Sequence, residues 1–287
     1  MKSFKELIQT EENTALIVDA LNLAFRYKHS GQEDFAEDYV NTVASLASSY
    51  KASKIIIAAD KGSSAYRLKL HPEYKLTRRQ AFEAQSEEEK ESFRNFFTEF
   101  ERALAICAKK YCVLRFDKVE ADDIAAYIAG NKSAFSIDKI WLISSDKDWN
   151  LLVSPTVSQF STVTRQEITI ENFEEIRGVA HPDQYLSMKV LMGEMGKSSD
   201  NVPGISQVGI ARAKALVLQY GSAFDVYASL PLPGNYAFIK NVNSSEDLIL
   251  LNYKLFDLVT YSEEAIGKSN IQELQKLWKD YTNEKHK

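Results

Sequence analysis

Cysteine and histidine are scarce in this chain of 287 residues, which has two cysteines and four histidines. Cys107 and Cys112 lie close together without the spacing of a metal-binding pair. We therefore expect reduced, structural thiols rather than a disulfide framework or a zinc site. The histidines are scattered and are expected at the surface: His29, His71, His181 and His286.

Long apolar runs are also missing. No stretch approaches the roughly 20 apolar residues that a membrane-spanning helix needs. Residues 1–14 show neither the apolar core nor the small-residue cleavage site of a secretion signal. Internal repeats and low-complexity tracts are absent as well. With 45% hydrophobic residues the chain can still build a sizeable core, so we expect a soluble, cytoplasmic protein of one large or two modest domains.

The chain lacks a basic excess, since its formal net charge is −5. That balance argues against a protein that coats nucleic acid non-specifically. The charge is unevenly distributed, however. Between residues 61 and 79, six basic residues face only Glu73, whereas residues 80–101 carry seven glutamates against Lys90 and Arg94. A local basic surface is therefore compatible with the acidic total.

Carboxylates placed directly after short apolar runs are what the chain has in abundance. The apolar runs are predicted strands: one within residues 14–22 that ends at Asp19, and others at 54–60, 112–117, 139–146 and 157–161. A strand or hairpin is expected at 162–170. Helical spacing predicts helices at 38–52, 91–111 and 120–131. This alternation indicates an α/β fold with a mostly parallel, doubly wound sheet. The acidic residues near the strand exits are Asp19, Asp60, Glu120, Asp122, Asp123, Asp146 and Asp148.

These carboxylates have two interpretations. Each aspartate alone is well explained as the cap of the helix that follows it. One helix needs only one cap, however, and ligand sites in such sheets lie outside the carboxyl ends of the strands. Clustered carboxylates repel one another unless a cation binds among them. Paired hard cations on oxygen ligands indicate phosphodiester chemistry.

Five acidic motifs occur in a recognisable order. DALN, AADKG, EADD, SSDKDW and SSDN, followed by VPGISQVGIARA, resemble the 5′-nuclease (flap endonuclease) superfamily, and HPEYK and LISSDKDWNLL resemble its phage members. The resemblance spans roughly residues 14–235. It implies a catalytic core at 1–185 with a helical arch at about 61–100. A helical subdomain at 186–287 would follow, with a helix-three-turn-helix motif at about 186–235.

The resemblance implies a structure-specific 5′→3′ exonuclease and flap endonuclease that acts in replication. Its substrates would be branched or 5′-ended DNA cut near the junction of single and double strand, with RNA primers as further candidates. Two ions, Mg²⁺ or Mn²⁺, would bind to oxygen ligands alone. The first would be held by Asp19, Asp60, Glu120 and Asp122, and the second, directly or through water, by Asp123, Asp146 and Asp148. Asp200, in the last acidic motif, is a further metal ligand in this assignment.

One motif departs from the family pattern. Relatives carry an aspartate three residues before the last acid of this motif, and here Lys197 precedes Asp200 at that spacing. Either Glu194 replaces the missing acid across a three-residue insertion, which we favour, or Lys197 occupies the position and the second ion loses a ligand. In the second case the protein would bind branched DNA better than it cuts it.

The resemblance also assigns DNA contacts. Lys75 and Arg78 would touch the scissile phosphate, and Tyr74 would stack on a base. Further contacts are expected from Phe25, Arg26 and Lys28 on the path of the 5′ strand, from Lys69 and Arg79 on phosphates, and from Lys189 on the duplex side. Two alternatives remain open: residues 61–100 are only a solvated charged helix, or Phe25 belongs to the core.

A turn rich in glycine separates a helix predicted at 182–193 from one that starts near Ile210. Gly204 and Gly209 would permit a tight turn whose amides meet duplex phosphates. The resemblance adds a K⁺ ion as a candidate there, and Arg212 and Lys214 follow on the second helix. We expect a monomer, in the host cytoplasm if the chain is phage-encoded. A junction-binding protein with impaired catalysis and a PIN-type ribonuclease are the alternatives, although the arch and turn segments argue against the latter.

Overall fold

The structure is a computed structural model that describes residues 13–196 and 199–284. A mostly parallel sheet of six strands lies at its centre. The strands are β1 (Thr14–Asp19), β2 (Lys54–Ala58), β3 (Cys112–Leu114), β4 (Lys139–Ile143), β5 (Val157–Phe160) and β6 (Glu167–Ile168). Their order is β3-β2-β1-β4-β5-β6, and only β6 runs antiparallel to its neighbour. The predicted fold class is confirmed.

Fourteen helices are found in the described part of the chain. They are α1 (Ala20–His29), α2 (Ala36–Ser49), α3 (Ala65–Leu70), α4 (Leu76–Glu83), α5 (Glu87–Cys107), α6 (Ala121–Gly130), α7 (Phe173–Arg177), α8 (Pro182–Met192), α9 (Ile210–Tyr220), α10 (Ala223–Ala228), α11 (Ala237–Asn243), α12 (Glu246–Phe256), α13 (Leu258–Ile266) and α14 (Lys268–Glu284). None of them is long and apolar enough to cross a membrane.

The central strand β1 is buried on both faces, which explains its unbroken apolar sequence. Ala15 and Ile17 face a core formed with α6 and α14. Leu16 and Val18 face a second core formed with α1, α2 and α5. A third core joins α8, α9, α10 and α12 to the base of the predicted arch. Cys107 and Cys112 are buried and unbonded, as expected.

The predicted end of the first strand is confirmed: β1 ends at Asp19, where α1 begins, and the Asp19 side chain accepts the first-turn amide of Asn22 at 3.1 Å. Other predicted boundaries are wrong. The strands predicted to end at 117 and 146 stop at Leu114 and Ile143. The strand or hairpin predicted at 162–170 is reduced to the two residues of β6. The domain boundary predicted between 185 and 186 stays a prediction; it falls inside α8.

Candidate metal centre and nucleic-acid interface

The three central strands end in carboxylates at one edge of the sheet. Asp19 ends β1, Asp60 lies two residues beyond β2, and Asp146 lies three residues beyond β4. Ser144 connects two of these positions. Its hydroxyl donates to Asp19 Oδ2 at 2.7 Å and accepts the backbone amide of Asp146 at 3.1 Å. The parallel topology therefore brings together side chains that lie far apart in sequence.

The start of α6 adds two further acids, Glu120 and Asp122, to this edge. The amide of Ala121 donates to Asp60 Oδ1 at 3.0 Å, which holds the end of β2 against the helix. Trp149 Nε1 donates to Asp122 Oδ1 at 2.6 Å. Sequence reasoning missed Trp149 and Ser144 as residues that orient the acids, although both stand within the stretch that contains SSDKDW.

In four of the acids, burial and neighbouring carboxylates raise the pKa more than nearby basic groups lower it. Burial and the neighbouring Asp60 raise the pKa of Asp19 to about 8. Burial and Asp148 raise the pKa of Asp146 to about 6. Burial also raises the pKa of Asp60, and burial together with Asp146 raises that of Asp122. An all-oxygen set of mutually repelling carboxylates fits hard divalent cations, which would remove the repulsion.

The acids do not converge on one point. Among residues 13–196 and 199–284, no three acidic, histidine or cysteine side chains are gathered closely enough to hold an ion. Basic groups hold some of them instead. Lys75 Nζ donates to Glu120 Oε1 at 2.7 Å. Burial alone would raise the pKa of Glu120, but Lys75 and Arg67 outweigh it and hold the value at about 2. Binding of a cation there requires Lys75 or Glu120 to move.

Asp123 has a different role from the predicted one. Both of its oxygens accept from the Arg67 guanidinium at 2.8 Å, and neither residue is more than 4% exposed. Arg67 also donates to the carbonyl of Leu255 at 3.1 Å. A carboxylate held by a buried guanidinium on both oxygens is a poor ligand for a cation. We therefore remove Asp123 from the metal set and assign it to the packing of α3 against α6.

Lys189 corrects a second prediction. It is 4% exposed, so it does not face a duplex. Its ammonium donates to Asp148 and, at 3.0 Å, to Glu194. Asp146, Asp148 and Glu194 line one cavity of about 650 Å³ with Lys189. Glu194 thus stands where a substitute ligand is needed, whereas Lys197 lies outside the described residues.

The base of the predicted arch reaches into the same edge. Tyr74 is 2% exposed, so a base could stack on its ring only if the side chain left this position, and that contact stays a prediction. Its hydroxyl contacts Glu120 Oε2 and Asp200 Oδ2, both at 2.9 Å. Arg78 pairs with Asp200 at 2.9 Å and keeps 44% of its side chain exposed. Asp200 is therefore placed at the arch base rather than beside Asp148.

The remaining predicted DNA contacts differ in accessibility. Arg26, Lys69 and Arg212 are exposed. Lys28 is held by Ser92 at 3.1 Å and lies 4.1 Å from the centroid of the Phe93 ring. Phe25 is half-buried and stacks on Phe96 with ring centroids 5.1 Å apart, which favours the core alternative. Arg79 and Lys214 are half-buried as well.

The turn between α8 and α9 is described at residues 193–196 and 199–209, and it lies within the segment predicted as the helix-three-turn-helix motif. Gly204 is required there, because an added Cβ would lie 1.8 Å from the carbonyl oxygen of Met192. Gly209 is not: it has open space around it and a φ of −93°. Just before Gly209, Gln207 adopts a left-handed conformation, with a φ of 64°. Its carbonyl accepts from Arg212 at 2.6 Å.

Raised pKa values make the stability of the metal-free protein depend on pH. The Asp19 pKa rises from 3.8 to about 8 on folding, so this group contributes stability that is complete below 3.8 and lost as the pH passes 8. We expect the free energy of unfolding in EDTA to fall by about 4 kcal/mol between pH 5 and 9. Urea titrations measure it, and Asp19→Asn should flatten the profile.

Divalent ions should reverse this loss. At pH 8, Mg²⁺ or Mn²⁺ at a hundred times its dissociation constant would add about 2.7 kcal/mol. An EDTA profile that rises from pH 5 to 9 would contradict the assignment of the raised pKa values.

Oxygen ligands without imidazole or thiolate suit hard divalent ions, and the lysines and arginines beside them suit phosphate. Fold and site together define a metal-dependent nuclease. Residues 14–178 match the family model described as the 5′-3′ exonuclease, N-terminal resolvase-like domain. The flap endonuclease of Escherichia phage T5 is 38% identical over 97% of each chain. This chain therefore belongs to the 5′-3′ exonuclease (flap endonuclease) family.

Other relatives and solved structures agree with this assignment. The flap endonuclease Xni of Shewanella loihica is 28% identical over 86% of this chain and 92% of its own. The phage T5 5′-exonuclease with bound divalent metal ions (zinc) superposes with a TM-score of 0.86 at 38% identity, over 94% of this chain and 98% of that one. A variant of the T5 enzyme in a pseudo-enzyme-product complex with DNA and metal ions has a TM-score of 0.86 at 37% identity, with the same coverage.

Proposed function

We propose that this protein is a structure-specific 5′→3′ exonuclease and flap endonuclease that cleaves DNA near junctions of single and double strand during replication. The observation that carries the proposal is the set of buried, mutually repelling carboxylates at the carboxyl edge of the sheet, beside Lys75 and Arg78. The 38% identity to the T5 flap endonuclease along nearly the whole chain supports the choice of substrate.

Two groups of residues would hold divalent ions. Asp19, Asp60, Glu120 and Asp122 would form the first set, and Asp146, Asp148 and Glu194 the second. We propose Mg²⁺ or Mn²⁺ for both, because the ligands are hard oxygens. Two bound ions would supply an activated water and stabilise the leaving oxygen of a phosphodiester. A K⁺ ion at the carbonyls of the turn 193–209 is a further part of the proposal.

The chain's own residues would then bind and orient the DNA. Lys75, half-buried beside Glu120, would be drawn to the scissile phosphate when a cation takes over that carboxylate. Tyr74 would keep Glu120 and Asp200 in place through its hydroxyl. Arg26, Lys69 and Arg212 are free to meet backbone phosphates from solvent. Phosphate contacts make binding independent of sequence and strongly dependent on salt.

The partners of the proposed enzyme are branched and 5′-ended DNA, with RNA primers as candidate substrates. The monomeric state and the cytoplasmic location stay predictions. The alternative of a junction-binding protein with impaired catalysis depended on Lys197 at the second ion. No described residue favours that alternative, since the acids that line the cavity include Glu194.

Cleavage of a 5′-flap DNA labelled at its 5′ end tests the function. We expect release of the flap near the junction with Mg²⁺ or Mn²⁺ and none in EDTA. Lys75→Ala should lower kcat by about a hundredfold or more, because it removes a charge from the reacting phosphate. Lys69→Ala, an exposed lysine on α3, should change KM and leave kcat within about twofold.

Two results would overturn this proposal. Tight flap binding without cleavage under either metal would favour the junction-binding protein. Cleavage of RNA with no action on flap DNA would favour the PIN-type ribonuclease. A Glu194→Ala variant that cuts as fast as the parent would keep the nuclease and remove Glu194 from the second ion.

A further inference from the structure

The base of the predicted arch is tied to the loop that precedes the turn between α8 and α9. We call the contacts that residues 71–78 make with residues 196 and 199–201 the latch. Asn201 stands at its centre. Its Nδ2 donates to the carbonyl of Glu73 at 2.9 Å, and its own carbonyl accepts from His71 Nε2 at 2.9 Å. Asn201 is 7% exposed, so these bonds are shielded from water.

The residue before Asn201 extends the latch to the catalytic groups. The carbonyl of Asp200 accepts the backbone amide of Lys75 at 2.9 Å. Its carboxylate contacts the hydroxyl of Tyr74 at 2.9 Å and pairs with Arg78. The latch thus holds the backbone of Lys75 and the side chains on either side of it.

Both sides of the latch adopt left-handed backbone conformations. Lys75 has a φ of 55° and Asn201 a φ of 58°. Asparagine visits this region readily, whereas lysine does so rarely. The left-handed Lys75 persists only where its surroundings impose it. In that conformation its ammonium reaches Glu120 at 2.7 Å, so the position of this ammonium depends on the latch.

The other end of the loop is fixed to the turn. Glu194 and Val202 exchange two backbone hydrogen bonds of 2.8 and 3.0 Å. Asn252 Nδ2 donates to the carbonyls of Val190 and Pro203 at 2.9 and 2.8 Å. Gly204 packs directly on the end of α8, since a Cβ added to it would lie 1.8 Å from the carbonyl oxygen of Met192. A shift of the turn would therefore reach Asn201 through the neighbouring residues Val202 and Pro203.

We propose that Asn201 is a positioning residue that couples duplex binding at the turn 203–209 to the placement of Lys75. A duplex bound to the turn holds residues 199–202 in place, and these residues in turn hold Glu73 and Lys75. Cleavage is therefore fast only next to a duplex. Asn201 would therefore help to set the preference for junctions over free single strands. This inference rests on the proposed function and deepens it.

Steady-state kinetics on two substrates test the coupling. Asn201→Gly keeps the left-handed backbone and removes the amide. We expect kcat on a 5′-flap DNA to fall about tenfold, while KM and the cutting rate on the same strand without its complement stay within about twofold. His71→Phe removes the other half of the contact and should act in the same direction. Thermal unfolding within about 2 °C of the parent establishes that each variant folds.

A matched control lies on the opposite side of the turn. Asn241 Nδ2 donates to the carbonyl of Ser206 at 2.9 Å and has no contact with the arch base among its hydrogen bonds. Asn241→Ala should raise KM for the flap and leave kcat unchanged, because it loosens the turn alone. If Asn201→Gly behaves like Asn241→Ala, or slows both substrates equally, the coupling is refuted.

Hydrogen exchange gives a readout that needs no cleavage. With blunt duplex DNA in EDTA, we expect peptides covering 71–79 and 203–214 of the parent to exchange more slowly. In Asn201→Gly the protection of 203–214 should remain and that of 71–79 should disappear. Retained protection of 71–79 in the variant would refute the coupling. A parent that shows both protections and cuts no flap DNA would refute the proposed function and keep the coupling.

Discussion

Asp146→Asn is expected to lower kcat for flap cleavage by about a thousandfold or more while the protein still binds DNA. Asp146 lies beside Asp148 at the carboxyl edge of the sheet, and its pKa is raised to about 6 by burial and by that neighbour. Asp146 Oδ1 accepts the backbone amide of Asp148 at 2.8 Å. The side-chain oxygen of an asparagine can accept the same bond, so the loop should keep its shape. What is lost is a charge that a divalent ion needs.

DNA binding should be unchanged or tighter in this variant, because a negative charge near the phosphates is removed. Fluorescence anisotropy of a labelled flap with Ca²⁺ or EDTA measures the affinity. Asp138→Asn is the matched control, since Asp138 is an exposed aspartate just before the other end of the same strand. It should cut at the parental rate. Equal losses of binding and turnover in Asp146→Asn would indicate a folding defect and contradict the metal role.

The sequence predicted the sheet and the edge at which the acids lie because both follow from local patterns. A buried parallel strand must be apolar throughout, and its exit is marked by the first charged residue. The end of β1 at Asp19 was predicted in this way, but α1 was not. The residues after Asp19 continue the apolar pattern, and the start of a helix is shown only by the bond from the Asn22 amide to the Asp19 side chain.

The side-chain partners could not be read from the sequence in the same way. Tyr74 and Lys189 belong to segments that resemble DNA-binding stretches, and the structure buries both against carboxylates. The two acids that Tyr74 contacts, Glu120 and Asp200, are 46 and 126 residues away from it in the chain. Only the packing of the arch base on the loop 199–202 brings them together. A motif therefore identified which residues matter here, but it did not give their contacts.

Asp123 shows most clearly what the sequence alone leaves open, because the motif EADD does not indicate which of its acids face a cation. In the structure Asp122 accepts from Trp149 near the other open carboxylates, whereas Asp123 turns to Arg67. The two neighbours therefore diverge by the geometry of a helix, in which adjacent residues point about 100° apart. A substitution of Arg67 separates the two roles.

Arg67→Met is expected to lower the free energy of unfolding by about 3–5 kcal/mol, since it leaves the carboxylate of Asp123 buried without a partner. Arg67 is 4% exposed and bonds to Asp123 on both oxygens, to Glu120 and to the carbonyl of Leu255. Urea unfolding monitored by circular dichroism measures the loss. Arg94→Met, which breaks an exposed ion pair with Glu91, should cost less than about 1 kcal/mol.

The double variant Arg67→Met with Asp123→Leu decides what Asp123 does. An apolar pair of similar volume should recover most of the lost stability, because the charge of Asp123 is removed with its partner and Glu120 keeps its bond to Lys75. The stabilisation by Mg²⁺ or Mn²⁺ should persist, since Asp19, Asp60, Asp122 and Asp146 are untouched. A double variant that folds but gains no stability from either ion would return Asp123 to the metal set. If the double variant keeps the full stabilisation by Mg²⁺ or Mn²⁺, Asp123 stabilises the fold and Asp122 belongs to the metal site.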